Sequence, residues 1–286
     1  MCPPEVMAER FAAIADTPPG APLPADSATL VEQLLTSLEH GTVRAAERGP
    51  DGEWRACTWV KLGILVGFRL GRVVDMSLSG SLHSAFHFFD KHTFPTRALR
   101  LEDQVRIVPG GSAIRRGAYV APGVVCMPPM YINVGAHVGP GTMVDSHALV
   151  GSCAQIGARV HLSAAAQVGG VLEPVNAAPV VIEDDVVVGG NSGVYEGTVV
   201  RERAVLGAGV VLTRGTPVYD LVRETVYRGT PERPLEIPAG AVVVPGARRV
   251  RGEWAEGEAL SVQTPVIVKY RDDRTDTATA LERWLR

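Results

Sequence analysis

The sequence is poor in aromatic residues, which make up only 6% of 286 residues, although 46% of the chain is hydrophobic and glycine occurs 31 times. A core with so few rings must consist of small aliphatic side chains, and so many glycines indicate frequent tight turns. This composition argues against a helical bundle. The length leaves room for one large domain and a smaller one.

Cysteine clusters, excess charge and long apolar runs are also missing. The four cysteines form neither a C-x-x-C pair nor a zinc-like cluster, so reduced thiols are expected. The formal net charge of −3 gives no electrostatic case for binding nucleic acid or an anionic membrane. No stretch of about 18 apolar residues occurs, and the N-terminus has no apolar signal-peptide region. We therefore expect a cytoplasmic protein that binds neither nucleic acid nor a membrane.

An aliphatic residue recurs at every sixth position through the middle of the chain. A first block of ten such positions precedes a second block of seven, and sixteen of these seventeen residues are Val, Ile or Leu. A short third stretch contains Ile237 and Val243. The positions of the two main blocks are Ile114, Val120, Cys126, Ile132, Val138, Val144, Val150, Ile156, Leu162 and Val168, then Ile182, Val188, Val194, Val200, Leu206, Leu212 and Val218.

This period of six predicts a parallel β-helix. Each hexapeptide forms one short strand and a turn, and three hexapeptides make a triangular coil of about 18 residues. The aliphatic residue points inward, where burial contributes about 1.5–3 kcal/mol per side chain. An alternating β-sandwich is a poor alternative, because its period of two would not hold a frame of six. Glycines near the corners are expected to supply the positive φ that some turns require, and they are Gly135, Gly141, Gly151, Gly157, Gly169, Gly189 and Gly207.

The frame is interrupted at residues 170–181, because Val168 and Ile182 are fourteen positions apart, whereas the frame requires a multiple of six. A loop can leave a coil corner without disturbing the stack of strands. Such loops on repeat proteins often line binding surfaces, although a tolerated insertion is the alternative.

The flanks predict two further regions. We expect a small, mainly helical domain at residues 1–104, the β-helix with its external loop at 105–250, and a C-terminal extension at 251–286. Apolar spacing and capping residues predict individual elements within these flanks. These are helices at 24–41 and about 58–74 joined by a linker at 48–54, a strand at 266–270 and an amphipathic helix at 277–286.

Residues 141–157, GTMVDSHALVGSCAQIG, are more specific than the repeat itself. Together with VHLS at 160–163 and GGVLEP at 169–174, this segment resembles the tetrahydrodipicolinate N-succinyltransferase family of hexapeptide-repeat acyltransferases. The resemblance covers most of the chain. Further matching segments are RIVPG at 106–110, RGAY at 116–119, FDK at 89–91 and VIVK at 266–269.

This resemblance implies a left-handed β-helix and a homotrimer with each active site between two neighbouring subunits. It also implies transfer of succinyl from succinyl-CoA to the amine of ring-opened tetrahydrodipicolinate, 2-amino-6-oxopimelate, in lysine and diaminopimelate biosynthesis, with no metal required. The cofactor is expected along the outside of the coils. Arg248, Arg249 and Lys269 are candidate phosphate partners there, and solvated surface charge is the alternative for each.

Two residues match the family's substrate-binding positions. Asp145 matches the carboxylate that holds the substrate amine, although spacing alone would equally fit a turn aspartate that caps backbone amides. Arg106 matches the substrate-binding arginine, and a guanidinium suits a dicarboxylic substrate because it pairs bidentately with carboxylate. Arg115 and Arg116 are supporting candidates for the same role or surface charges.

Two positions depart from the family pattern. The common pattern is Ser-Glu-x-x-Glu-Gly, whereas this chain has Gly193 in place of the first glutamate and keeps Glu196. Either Glu196 or Glu173 in the loop is a candidate replacement for that carboxylate. The frequent tryptophan two places after the aspartate is His147 here, a candidate proton acceptor.

Three alternative functions stay open. An N-acetyltransferase would use acetyl-CoA on the same or a related amine and would need no cation for a distal carboxylate. A zinc-dependent γ-type carbonic anhydrase would use His137, His147 and His161, but the spacing places His137 and His161 on different faces of a coil. A non-catalytic β-helix scaffold is the third.

Overall fold

The computed structural model describes residues 2–77, 87–230 and 233–272. The N-terminal region contains three helices and two short antiparallel strand pairs. Helix α1 was not predicted, and the expected linker at 48–54 forms the turn of the first strand pair. The elements are α1 (Pro4–Ala15), α2 (Ser27–Glu39), β1 (Ala46–Arg48), β2 (Trp54–Ala56), α3 (Thr58–Leu70), β3 (Val73–Asp75) and β4 (Phe89–Lys91).

The three helices pack around a core of their own. Helix α2 lies within the predicted range 24–41, with Leu30, Leu34 and Leu38 on its buried face. Phe11 of α1 and Ile64 of α3 complete this core, and neither is exposed. Val134 and Cys153 of the β-helix belong to the same cluster, so the helices are packed directly onto the coils.

The middle of the chain is a left-handed parallel β-helix of very short strands. A short 3-10 helix, Leu101–Asp103, precedes it. The strands are β5 (Arg106–Ile107), β6 (Ala113–Ile114), β7 (Tyr119–Val120), β8 (Val125–Cys126), β9 (Tyr131–Ile132), β10 (His137–Val138), β11 (Met143–Val144), β12 (Leu149–Val150), β13 (Gln155–Ile156), β14 (His161–Leu162), β15 (Gln167–Val168), β16 (Val181–Ile182), β17 (Val187–Val188), β18 (Gly193–Val194), β19 (Val199–Val200), β20 (Val205–Leu206) and β21 (Val211–Leu212).

Five further strands complete the described part of the chain. Strands β22 and β23 form a hairpin, β24 closes the last coil, and β25 and β26 form a long antiparallel hairpin around a short helix, α4. The predicted C-terminal strand is thus part of β26, whereas the predicted helix at 277–286 lies outside the described residues. Their bounds are β22 (Val218–Asp220), β23 (Thr225–Tyr227), β24 (Glu236–Ile237), β25 (Ala241–Arg249), α4 (Glu253–Gly257) and β26 (Ser261–Tyr270).

The coils form three faces, which we name by their strands. Sheet A contains β5, β8, β11, β14, β17, β20 and β25, extended by β26, β22 and β23. Sheet B contains β6, β9, β12, β15, β18 and β21, and sheet C contains β7, β10, β13, β16, β19 and β24. The chain passes from A to B to C in every coil, so each coil has an A–B, a B–C and a C–A corner.

The predicted frame is the core of the β-helix. All nineteen hexad residues are at most 5% exposed, including Ile237 and Val243 of the third stretch. Strand pairing connects residues 18 positions apart, as in Val120–Val138–Ile156. The pairing then continues from Ile156 to Ile182 across the interruption. The loop therefore leaves at a B–C corner and returns without shifting the register.

The corner glycines have two different physical roles. Gly135 and Gly141 adopt positive φ of 74° and 68°, as expected. The other five glycines named above have no positive φ, so only some of these corners require it. A Cβ at Gly157 would lie 2.4 Å from a carboxylate oxygen of Asp184. Gly157 is therefore required by the close approach of successive coils.

Within residues 2–77, 87–230 and 233–272, no helix has the length and apolar character needed to span a bilayer.

Candidate functional site

Asp145 lies at the A–B corner that follows β11. Its Oδ1 accepts a hydrogen bond from the backbone N–H of Ser146 at 2.7 Å, and its side chain is 29% exposed. The inward neighbour Val144 fixes this position, because it is fully buried in the stack. The carboxylate is therefore anchored through one oxygen while the other faces the outside of sheet A.

His161 is the side chain that the fold brings to Asp145. It occupies the outward position of β14, which pairs with β11 so that His161 lies beside Met143 on the next coil. Its Nε2 is 3.9 Å from Oδ2 of Asp145, and its side chain is 17% exposed. From the sequence, His161 was a candidate only for the zinc site. The 18-residue step from Met143 to His161 was the signal that would have placed it next to Asp145.

Arg106 lies on the same sheet as Asp145, two coils away. It occupies the outward position of β5, in register with Val125 of β8 and, through it, Met143 of β11. Neighbouring strands are about 4.8 Å apart, so the Arg106 backbone lies roughly 10 Å from that of Met143. An extended arginine side chain spans most of that distance. Sheet A therefore carries Arg106 two strands away from the strand that precedes Asp145.

His147 and Glu196 both occupy left-handed corner positions. His147 has φ of 61°, is exposed, and lies at the same A–B corner as Asp145. Its main chain is held by a bond from its N–H to the carbonyl of Pro129 and by a bond from Nε2 of Gln167 to its carbonyl. These bonds fix the backbone of this corner, and the His147 side chain is exposed there.

Glu196 lies at a B–C corner, not at the corner that carries Asp145. It has φ of 53° and its Oε2 accepts a hydrogen bond from the backbone N–H of Arg214 at 3.1 Å. Within one chain these two predicted catalytic carboxylates are therefore on different edges of the β-helix. Asp145 and Glu196 are therefore not brought together within one subunit.

A cleft of about 790 Å³ surrounds Glu196. Residues of the loop at 170–181 form one wall, including Glu173, and the C-terminal coils contribute Arg214 and Arg233. The two candidate replacements for the missing family glutamate thus share one cleft. Two guanidinium groups accompany them, so the cleft offers both signs of charge to a ligand.

At Gly193 the structure leaves no room for a side chain. A Cβ built at this position would lie 2.4 Å from the ring of Tyr195, which covers the outer side of the buried Gly193 backbone. Tyr195 also lines the Glu196 cleft. Any side chain at Gly193 would require the Tyr195 ring to move, so the glycine and the tyrosine form one matched pair.

Lys61 of α3 fastens the loop at 170–181 to the N-terminal helices. It is fully buried, and its Nζ donates a hydrogen bond to the carbonyl of Ala177. Burial lowers the pKa of Lys61. Leu172 of the same loop packs against the N-terminal core. The helical domain therefore holds the loop that forms one wall of the Glu196 cleft.

We expect Lys61→Met to loosen this loop while the rest of the fold stays intact. Methionine keeps the apolar stem but leaves the Ala177 carbonyl without its donor, which costs about 1–3 kcal/mol locally. Hydrogen exchange of loop amides such as Val171 should accelerate about tenfold or more. Lys91→Met is the matched control, because Lys91 Nζ donates to the Gly71 carbonyl at 2.8 Å far from the loop. Equal acceleration in both variants would contradict the role given to Lys61.

The other arginines expected near the substrate are engaged elsewhere. Arg116 donates to both carboxylate oxygens of Glu32, at 2.8 Å for one of them, and lies 3.7 Å from Glu39. Arg115 pairs with Asp90 and donates to the Phe94 carbonyl at 3.2 Å. Both guanidinium groups hold the N-terminal region against the coils. Within one chain Arg116 is thus paired with acidic residues of α2, and its role as a supporting substrate ligand stays a prediction.

The three cations expected at the cofactor are not brought together. Arg248 and Arg249 are exposed near the tip of the β25–β26 hairpin, opposite Val262 and Ser261. Lys269 lies at the hairpin's base opposite Val242, and its Nζ is 3.3 Å from Asp272. Six residues of extended strand separate the two ends, or about 20 Å. A single phosphate cannot contact all three.

The three histidines proposed as zinc ligands are also dispersed. His137 lies on sheet C, His161 on sheet A and His147 at a corner, which confirms the predicted separation of His137 from His161. In the part of the chain that the structure describes, no three His, Cys, Asp or Glu side chains are grouped as metal ligands.

Comparison with known sequences identifies similar proteins along nearly the whole chain. A family model described as the N-terminal region of tetrahydrodipicolinate N-succinyltransferase matches residues 9–70, and one described as the hexapeptide repeat of succinyl-transferase matches residues 179–214. A 2,3,4,5-tetrahydropyridine-2,6-dicarboxylate N-succinyltransferase from Polynucleobacter asymbioticus is 41% identical over 264 residues, covering 92% of this chain and 91% of the relative. Proteins of the same name from Bradyrhizobium diazoefficiens and Acinetobacter baylyi are 42% and 39% identical, covering 90% and 93% of this chain and 89% and 92% of their own lengths.

Proposed function

The chain belongs to the tetrahydrodipicolinate N-succinyltransferase family, and from this premise we propose that it transfers succinyl from succinyl-CoA to the amine of ring-opened tetrahydrodipicolinate. The main structural support for this proposal is that His161 Nε2 lies 3.9 Å from the Asp145 carboxylate. Arg106 lies on the same sheet as His161. This arrangement offers a carboxylate for an ammonium group and a guanidinium for a substrate carboxylate.

The chemistry requires a neutral amine. In the proposed reaction the amine nitrogen attacks the thioester carbonyl carbon, the C–S bond breaks with its electrons going to sulfur, and the amide and the free thiol of CoA are released. Asp145 binds the substrate as an ammonium ion and, with the adjacent imidazole of His161, accepts the proton that must leave before attack. His147 at the same corner is the alternative acceptor.

The acyl group is the second element of the proposal. A succinyl chain ends in a carboxylate and calls for a cation, whereas an acetyl chain does not. Arg214 and Arg233 in the Glu196 cleft are candidates for that cation. Their presence favours succinyl-CoA over the acetyl-CoA alternative, since a charge-assisted bond to a carboxylate contributes about 1.5–3 kcal/mol.

A complete site calls for more than one copy of the chain. Asp145 and the Glu196 cleft lie on different edges of one β-helix, so we propose that the site forms where the Asp145 edge of one subunit meets the Glu196 edge of its neighbour in a homotrimer. Light scattering should then give three times the chain mass of 30.4 kDa. A monomer that is fully active would contradict this assembly. Cytoplasmic location stays a prediction.

The activity itself is tested by following thiol release from succinyl-CoA and acetyl-CoA with tetrahydrodipicolinate as acceptor. We expect release that depends on the acceptor, with kcat/KM at least about tenfold higher for succinyl-CoA. Mixtures without acceptor measure thioester hydrolysis and serve as the control. Equal or faster turnover with acetyl-CoA would favour the acetyltransferase alternative, and no release with either donor would contradict the proposed function.

A further inference from the structure

A second cleft lies where the first strand pair of the N-terminal region meets sheet C. It has a volume of about 320 Å³, at the lower end of the range for small-molecule sites. Arg44 and Trp54 line it from the N-terminal side, and His137 and Gln155 line it from the outward positions of β10 and β13. It is separate from the Asp145 corner, which lies between sheets A and B, and from the Glu196 cleft at a B–C corner.

Arg44 is held in this cleft with part of its guanidinium uncommitted. Its Nε donates to Oε1 of Gln155 at 2.9 Å, and its guanidinium carbon lies 5.5 Å from the centre of the Trp54 ring. Gln155 is 1% exposed and is itself fixed, because its Nε2 donates to the Cys153 carbonyl at 2.9 Å. Among the described residues, the two terminal nitrogens of Arg44 have no hydrogen-bond acceptor.

His137 adds a second uncommitted polar group. Its ring stacks on Tyr119 with centroids 4.4 Å apart, and its Nδ1 is buried without a hydrogen-bond partner among the described residues. Burial, and secondarily the charge of Arg44, lowers the pKa of His137 to about 3. The imidazole is therefore neutral at physiological pH, and a neutral imidazole carries one N–H donor. Because protein atoms enclose Nδ1, a ligand in the cleft would meet the other edge of the ring, which carries Nε2.

The carboxylates at the rim are held by other donors. Glu183 accepts hydrogen bonds from Nε1 of Trp54 at 2.9 Å and from Arg201 at 3.1 Å. Asp184 accepts one from the backbone N–H of Ala158 at 2.9 Å. Both acidic groups therefore have hydrogen-bond donors other than Arg44, and the charges of Glu47 and Asp184 act on Arg44 only through space. Burial lowers the pKa of Arg44, as expected for a guanidinium whose charge is only partly offset.

We propose that this cleft binds a small organic carboxylate, with its two oxygens on the two terminal nitrogens of Arg44 and the Nε2 edge of the His137 ring beside them. A planar pair of oxygens matches the guanidinium fork, and the Trp54 ring and Pro140 offer an apolar wall to the carbon chain. A doubly charged phosphate fits less well, because Glu183, Asp184 and Glu202 line the same cleft and repel additional negative charge. The ligand would connect the helical domain to the coils.

Butanoate is a suitable probe because it has one carboxylate and a short apolar chain. At constant ionic strength, butanoate should produce a saturable change in tryptophan fluorescence that Trp54→Phe abolishes. Arg44→Gln should raise the Kd at least tenfold, and His137→Phe, which keeps the stacking on Tyr119, should also weaken binding. Arg55→Gln is the matched control, because Arg55 is exposed on the same strand pair and bonds to Asp51 at 3.0 Å. It should leave the Kd unchanged.

Several outcomes would overturn the proposal. These are a wild-type protein without a saturable response, an Arg44→Gln variant with wild-type affinity, and binding of inorganic phosphate at least as tight as that of butanoate. Asp145→Asn should retain butanoate binding, and its loss in that variant would assign the signal to the catalytic edge instead. If Arg44→Gln does not fold, the His137→Phe titration decides the same question.

Discussion

Asp145→Asn should lower kcat/KM by roughly 10²–10⁴, the usual contribution of a group that takes part in proton transfer. Asparagine keeps the volume of the side chain and an oxygen that can accept the 2.7 Å hydrogen bond from the Ser146 N–H. It removes the negative charge that binds the substrate ammonium and the basicity that helps to release the free amine. Because the side chain lies outside the aliphatic stack, the free energy of unfolding should change by no more than about 0.5 kcal/mol.

Three variants measured beside Asp145→Asn decide which group accepts the proton. His161→Asn should also lose activity, because Nε2 of His161 is the imidazole atom near Asp145. His147→Ala and Glu196→Gln test the two candidates that the sequence suggested. Near-wild-type turnover in Asp145→Asn together with a collapse in His147→Ala would transfer the role to His147 and contradict our assignment. Chemical denaturation of each variant separates loss of chemistry from loss of structure.

The architecture was predictable because one physical requirement repeats along the chain. Each hexad must bury one aliphatic side chain, so a residue such as Leu162 can be assigned to the core without knowledge of its neighbours. The same periodicity places any two residues 18 positions apart on adjacent strands. This is why the separation of His137 from His161 could be predicted, and why the proximity of His161 to Met143 was also available from the numbering.

The partners of long polar side chains were not predictable in this way. Arg116 follows a core strand position in the repeat, but its ion pair with Glu32 joins segments 84 residues apart in the sequence. No periodicity relates the N-terminal helices to the coils, so nothing in the sequence distinguishes a guanidinium that binds substrate from one that binds α2. Lys61 and the Ala177 carbonyl illustrate the same difficulty across 116 residues.

Backbone geometry was predictable only in part. Glycine was expected wherever a corner requires positive φ, yet His147, Arg159 and Asp185 adopt φ of 55–61° at equivalent corners. The cost of a left-handed non-glycine residue is about 1–2 kcal/mol, which the surrounding coil pairing can offset. Gly157, in contrast, is required by the next coil's approach. A sequence motif alone does not separate these two uses of glycine.

Arg106→Ala should raise the KM for the acceptor by about 10- to 100-fold, because a charge-assisted pair with a substrate carboxylate contributes about 1.5–3 kcal/mol. Arg106 is exposed on β5, and its backbone N–H bonds to the Val124 carbonyl at 3.0 Å, which alanine retains. The fold should therefore be unaffected, as a thermal unfolding curve would verify. Arg248→Ala is the matched control, because this exposed arginine lies near the tip of the β25–β26 hairpin. It should leave the acceptor KM unchanged, and a rise in the KM for succinyl-CoA would support its expected contact with the cofactor. If the acceptor KM of Arg106→Ala stays within about a factor of two of the wild-type value, which corresponds to only about 0.4 kcal/mol, Arg106 does not bind the substrate carboxylate.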